Sequence, residues 1–210
     1  MIIPLFRLLL RHLFILTMFV LPLGVLLTPA AAYAQTEQQA IHPVRGFLPD
    51  LKFTLEGAGG KTYTQDNFKG KTVLMFFGYA SCPDICPTTM AQLAHVMETL
   101  GDEASKVRII FVSVDPHRDT PDLLQAYVDA FDSHAIGLTG TEKQIADVAR
   151  RYRVAYQIEK PDPKSPDTYE VAHSRGVYFF DAKGRARLLA ADTESVEALT
   201  ASVRKVLQQG

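Results

Sequence analysis

Residues 71–114 read KTVLMFFGYASCPDICPTTMAQLAHVMETLGDEASKVRIIFVSV, two apolar runs with an amphipathic stretch between them. Lys71 to Phe77 is continuously apolar after its second residue, the pattern of a strand buried on both faces. Val107 to Val114 repeats that pattern. Strands apolar on both sides belong mostly to parallel sheets covered by helices. Between them, in Pro87 to Leu100, Met90, Leu93, Met97 and Leu100 recur at steps of three, four and three, one face of a helix. The stretch therefore predicts a β-α-β unit.

Outward from this unit, Thr120 and Pro121 open a second helix, with Leu123, Leu124, Tyr127, Val128 and Phe131 as its apolar stripe. Thr141 and Gln144 form a capping-box pattern ahead of Ile145, Val148, Ala149 and Tyr152. Gly176 to Phe180 and Ala186 to Ala190 flank Asp181-Ala-Lys-Gly184 and read as a β-hairpin. Val196, Leu199, Val203 and Val206 mark a last helix. Leu51 to Leu55 and Lys61 to Thr64 form a small N-terminal β-hairpin around Gly57, Gly59 and Gly60. Glu159 to Asp167 is polar and rich in proline, an exposed loop. The order of elements matches an α/β, thioredoxin-like fold: a central mixed β-sheet flanked by helices.

The first 34 residues differ from the rest. Arg7 and Arg11 precede an uncharged run from Leu13 to Leu27, and Ala32-Tyr33-Ala34 fits a cleavage site. This is the layout of a secretory signal peptide. Retained, the 22 uncharged residues from Leu13 to Ala34 are long enough for a membrane anchor, although Pro22, Gly24 and Pro29 interrupt them. Either reading places the folded part outside the cytoplasm: exported, periplasmic, and soluble or anchored to the inner membrane. Gln35 to Arg45 reads as a linker, and residues 46–210 as the folded domain. Hydrophobic residues make up 47% of the 210-residue chain and charged residues 21%, a globular composition. Without Arg7 and Arg11, 20 Lys and Arg face 23 Asp and Glu, and no basic run offers a nucleic-acid surface.

The chain has two cysteines, Cys82 and Cys86, in Ser81-Cys-Pro-Asp-Ile-Cys-Pro87. This loop leaves the carboxyl end of the first buried strand, where open α/β sheets place their sites. Cys86 is expected at the cap of the following helix, where unpaired N–H groups favour a thiolate and prime both sulfurs. A structural disulfide here closes a very short ring, worth about 2 kcal/mol, which a full core does not need. Dithiol redox chemistry and metal binding remain. Redox motifs of thioredoxin type have two intervening residues, and this one has three. A metal held by two thiolates needs a third donor.

Of six histidines, His12 lies in the export segment and His42 in the linker. His95 falls beside the apolar stripe and reads as a surface residue. His134 sits in an Asp-Ser-His loop, and His117 follows Asp115-Pro116 at a strand's carboxyl end. His173, just before the Gly176 strand, occupies the neighbourhood where a thioredoxin-like chain sets a proline against its cysteines. Two thiolates and one imidazole form a soft, low-coordinate set suited to copper, Cu(I) especially. Zinc usually takes four ligands. Met90 and Met97 are read as core rather than as thioether ligands.

Three motifs in order, Gly78-Tyr-Ala-Ser-Cys-Pro-Asp-Ile-Cys-Pro87, Val112-Ser-Val-Asp-Pro-His-Arg-Asp-Thr-Pro121 and Val171-Ala-His-Ser174, resemble the Sco/SenC/PrrC family of copper chaperones. The likeness runs from about Pro43 to Leu207. It implies copper, as Cu(I) or Cu(II), bound by Cys82, Cys86 and His173. It further implies delivery to the dinuclear copper centre of cytochrome c oxidase, with subunit II or another copper acceptor as partner and a copper donor upstream. Ser81 stands where the family often has His, and Ala172 where it often has Asp, a loss expected to remove a partner of His173. Asp84 and Asp115 are read either as nearby negative charge or as turn and cap residues. A thiol–disulfide oxidoreductase that keeps an acceptor's cysteines reduced, with Cys82 and Cys86 as its redox-active pair, is the main alternative. Peroxide removal and sensing are further ones; the former lacks an isolated peroxidatic Cys setting.

Overall fold

Thr72–Gly78 (β4) is buried at all seven positions in the computed structural model, and it lies near the middle of the main sheet. The structure describes residues 41–44, 46–161 and 163–210. The signal or anchor segment, with His12, and residues 35–40 and 45 of the linker lie outside the described residues. Val107–Ser113 (β5) pairs in parallel with β4, and Ala135–Leu138 (β6) pairs in parallel with β5. On the other side of β4, Val177–Phe180 (β9) pairs antiparallel, followed by Ala186–Ala190 (β10). The sheet is therefore mixed, with the order β10-β9-β4-β5-β6 and one further strand outside β10.

Its first strand, Ile41–Pro43 (β1), pairs with β10, and Val44 behind it is buried. The segment read as linker thus contributes Ile41–Pro43 to the sheet, and the folded part starts before residue 46. Thr54–Gly57 (β2) and Lys61–Thr64 (β3) form a hairpin where one was expected, but its first strand begins at Thr54 rather than Leu51 and takes in Gly57, while Leu51 and Phe53 pack into the core ahead of it. Two short strands, Tyr156–Ile158 (β7) and Val171–His173 (β8), pair among the described residues only with each other, in a ribbon outside the main sheet. Neither was legible in the sequence, and neither was β6.

Helices cover both faces. Ile85–Leu100 (α1) buries Met90, Leu93, Met97 and Leu100, so both methionines are core residues as expected. Pro121–Asp129 (α2) starts at Thr120, whose hydroxyl accepts from the Leu123 N–H. Leu124 and Val128 are buried, but Leu123 is exposed and does not belong to the stripe. Glu142–Arg151 (α3) begins with the Thr141–Gln144 capping box. Val196–Leu207 (α4) packs against α1.

Adjacent residues of a strand point to opposite faces. Phe76 meets Phe111, which in turn meets Tyr127 of α2, on one face. On the other, Phe77 meets Tyr178 and Tyr152 at the end of α3, and Tyr152 in turn meets Phe180. Each large apolar side chain fully buried this way is worth about 1.5–3 kcal/mol. This packing makes β4 a stiff platform for the loop that leaves it.

Candidate metal centre

Three segments converge at the carboxyl end of β4. The cysteine loop follows β4 directly. The Asp115–Asp119 turn follows β5, the parallel neighbour of β4. The β7–β8 ribbon ends at His173, four residues before Val177 enters β9 opposite Phe76. Sequence distance is erased here by strand pairing.

The donor atoms of Cys82, Cys86 and His173 all lie within 4.8 Å of one another. His173 Nε2 is 3.6 Å from Cys86 Sγ. Bonds of about 2.0–2.3 Å, as nitrogen and sulfur donors make to a first-row ion, set the donors of a trigonal site roughly 3.7–4.0 Å apart. The cluster needs only small adjustments to close on an ion. Among the described residues it is the one His, Cys, Asp or Glu group of three so placed.

The imidazole is prepared for this role. His173 Nδ1 lies 3.0 Å from the Ser174 carbonyl. A carbonyl only accepts, so Nδ1 carries the proton and Nε2 turns its lone pair to the sulfurs. The ring stands edge-on to Phe76 and Tyr79, with centroids 6.3 and 6.0 Å away. Burial holds its pKa below the ordinary value of 6.5; the Ser174 carbonyl and Asp192 oppose that shift, and Arg175 adds to it. Ala172 cannot supply the carboxylate partner the resemblance leads one to expect, and the Ser174 backbone fills that place.

The two sulfurs differ. The cap position expected for Cys86 belongs to Asp84, whose side chain makes no capping bond. Cys86 lies inside the first turn of α1 and is fully buried. Burial pushes its thiol well up; the Tyr79 N–H opposes this, and the negative charges of Cys82 and Asp119 reinforce it. Cys82 is half-buried. Burial raises its pKa too, but the N–H groups of Asp84, Cys86 and Ile85, with the Cys86 side chain, outweigh it and leave the net value lowered. The sulfur at the helix N-terminus is that of Cys82, so the benefit assigned to Cys86 goes to Cys82 instead. A cleft of about 270 Å³ opens onto Cys82 and His173, lined also by Tyr79, Pro83, Ile85 and Arg175.

The remaining histidines lie elsewhere. His117 is exposed and faces Glu142 at 3.3 Å. His134 bonds to Asp132, and His42 and His95 are exposed. Asp84 is exposed, and Asp115 is fully buried between Arg118 and the Tyr169 hydroxyl. Asp119, which sequence reasoning passed over, is buried beside the cysteine loop. Its Oδ2 accepts from Ala80 N–H at 3.0 Å and from Ser113 Oγ at 2.6 Å, while burial pushes its carboxyl up. Arg118, Tyr79 and Tyr169 were missed as well. The only sequence signal was their place in or next to the three motifs.

Residues 48–208 match the SCO1/SenC family model. A SCO2-like protein of Rickettsia conorii is 38% identical over 133 residues, covering 63% of this chain and 64% of that protein. Protein SCO2, mitochondrial, of Saccharomyces cerevisiae is 39% identical over 134 residues, covering 63% of this chain and 44% of that protein. The match thus spans less than two thirds of the length of these relatives. The structure of Bradyrhizobium japonicum ScoI with copper bound is similar at a TM-score of 0.67 and 36% identity, over 75% of this chain and 99% of that one. With the family model matched over most of its length, and with the thioredoxin-like sheet and the three motifs at one end of it, this chain belongs to the SCO1/SenC family.

Proposed function

We propose that this protein binds one copper ion through Cys82, Cys86 and His173 and passes it to a copper acceptor during assembly of cytochrome c oxidase. The observation that carries the reading is the approach of three soft donors to within 4.8 Å of one another. Thiolates and imidazole match copper, and a three-donor set falls short of what structural zinc takes. The copper in the B. japonicum relative supports the same choice. Loading requires both thiols to lose their protons, so binding weakens with acidity. Cys82 and His173 face the cleft, so an incoming acceptor ligand meets them before it meets buried Cys86. Subunit II, with its dinuclear copper centre, is the acceptor this reading names.

The deciding experiment is a competition titration of the reduced protein with Cu(I). Cys82→Ser, Cys86→Ser and His173→Ala are each expected to weaken binding by at least about tenfold. Undiminished affinity in either serine variant overturns the ligand assignment.

The asymmetry of the two sulfurs favours a second reading, reduction of an acceptor disulfide. The Cys82 thiolate attacks one acceptor sulfur and displaces the other as a thiolate. Cys86, once deprotonated, then attacks Cys82 and frees the second acceptor thiol. Two electrons pass to the acceptor, a Cys82–Cys86 disulfide is left, and an upstream thiol must reduce it again. His173→Ala separates the readings: it removes copper binding and spares disulfide exchange.

Export belongs to the same reading. It is supported by Arg7 and Arg11 ahead of the apolar run and by the Ala32-Tyr33-Ala34 triplet. No helix among the described residues is long and apolar enough to cross a membrane. Fractionation of cells expressing the full chain, with the N-terminus of the product sequenced, tests periplasmic location and cleavage together.

A further inference from the structure

We propose that Arg118 is a positioning residue that sets the reach of His173 to the two sulfurs. The inference rests on the copper reading above. His173 is carried by β8, which among the described residues pairs only with β7, over three residue pairs and outside the main sheet. So short a ribbon is marginal by itself. It needs an anchor, and Arg118 supplies one.

The Arg118 guanidinium bonds through Nε and Nη1 and lies against two rings, while its buried Nη2 has no hydrogen-bond partner. Its Nε donates to buried Asp115 Oδ2. Its Nη1 donates to the carbonyls of Asp167 at 3.2 Å and Tyr169 at 2.8 Å. Its Cζ lies over the Tyr169 ring, 3.7 Å from the centroid, and over that of Tyr79 at 5.5 Å. Tyr169 returns the contact, with its hydroxyl donating to Asp115 Oδ1 at 2.8 Å. The segment leading into β8 is thereby gripped four residues before His173.

The same turn grips the cysteine loop. Asp119, the next residue, accepts from the Ala80 N–H two positions before Cys82. Ser113 Oγ ties this carboxylate back to the end of β5 and also accepts from the Asp115 N–H. Asp115–Asp119 is thus a common mount for both halves of the site. Arg118 holds the imidazole side, Asp119 the sulfur side, and Tyr79 stands between Arg118 and the His173 ring. Only an arginine does this work. A lysine keeps the charge facing Asp115 but has neither the flat guanidinium over Tyr169 nor separate donors, such as Nε and Nη1, that reach Asp115 and the two carbonyls at once.

Arg118→Lys is therefore the test, since it leaves buried Asp115 with a counter-charge. Amide exchange of the metal-free, reduced protein is expected to speed by about tenfold at residues 156–158 and 171–173, with β4 and β5 unchanged. Cu(I) affinity is expected to fall toward that of His173→Ala, and the double variant to bind no more weakly than His173→Ala alone, the mark of a residue acting through His173. Tyr169→Phe, which removes only the bond to Asp115, is expected to move both readouts in the same direction by less. Wild-type exchange and affinity in Arg118→Lys overturn the proposal. So does loss of protection throughout the central sheet, which makes Arg118 a support of the whole fold. If His173→Ala keeps full copper affinity, the ligand set fails instead, and the ribbon exchange in Arg118→Lys still decides the clamp.

Discussion

Gly78 lies against the sulfur of Cys86: a Cβ at position 78 would sit 2.6 Å from Cys86 Sγ and 3.0 Å from the Phe111 ring. The last residue of β4 must lack a side chain so that the sulfur can settle on the strand. Gly78→Ala forces the sulfur or Phe111 aside in a packed core, which costs about 1–3 kcal/mol. Copper affinity is expected to fall along with stability. Denaturant melts and a Cu(I) titration check both, and a variant as tight and as stable as the parent refutes the packing argument.

Thiol reactivity should be lopsided. Cys82 is half-exposed with a lowered pKa, while Cys86 is buried with a raised one. Alkylation of the metal-free, reduced protein at about pH 8 is expected to label Cys82 at least tenfold faster than Cys86. Peptide mass mapping over time reads the order, and equal rates contradict the environments described.

Acid should loosen the metal-free fold through His173. Its folded pKa is depressed below 6.5 by burial, so below that pH the unfolded chain takes a proton that the folded chain resists. Stability contributed by the neutral ring is complete above about pH 6.5 and is lost as pH falls through the folded value. His173→Gln removes this component. Urea melts of both proteins between about pH 7 and pH 5 are expected to show a shallower decline in the variant. Parallel declines would rule the imidazole out as the source.

Asp181 offers a control remote from the site, since Phe180 beside it pairs with Val73 at the far end of β4. Its fully buried carboxylate accepts from Arg185 at 2.7 Å and Arg187 at 2.9 Å, and from the N–H groups of Lys183 and Arg185. Burial alone raises its pKa, yet the Arg185 N–H and guanidinium with the Lys183 N–H hold it below the usual value. Asp181→Asn leaves two guanidinium groups without their charge partner and is expected to cost about 3 kcal/mol. The stabilisation exists above the unfolded pKa and disappears as pH falls through the folded one. Copper affinity of the folded variant should match the parent, and thermal melts with a titration test the pair of outcomes.

The sequence was legible where physics repeats itself. β4 and β5 announce themselves as unbroken apolar runs, and α1 as the stripe from Met90 to Leu100. Thr120 and Thr141 mark their helices by capping chemistry. Illegible elements were those whose pattern is too short. β6 is four residues interrupted by Gly137, and β7 and β8 have three residues each, held by context rather than propensity. The helix start slipped by two positions because the backbone of Asp84, not the Cys86 side chain, closes the turn. His173 could be singled out from six histidines because few of them sit at a strand's edge and the surrounding motif has relatives. Arg118 could not, because nothing in its own neighbours predicts that it grips a loop 49 and 51 residues away.

The ribbon of β7 and β8 gives the site two unequal supports. The sulfurs inherit the stiffness of a strand buried at every position, whereas the nitrogen rides on an appendage secured by a few side chains. On the carrier reading proposed above, an ion held between a rigid jaw and a compliant one is expected to leave in a set order, the bond on the yielding side parting first. Evolution can retune that softer jaw without disturbing the scaffold beneath it.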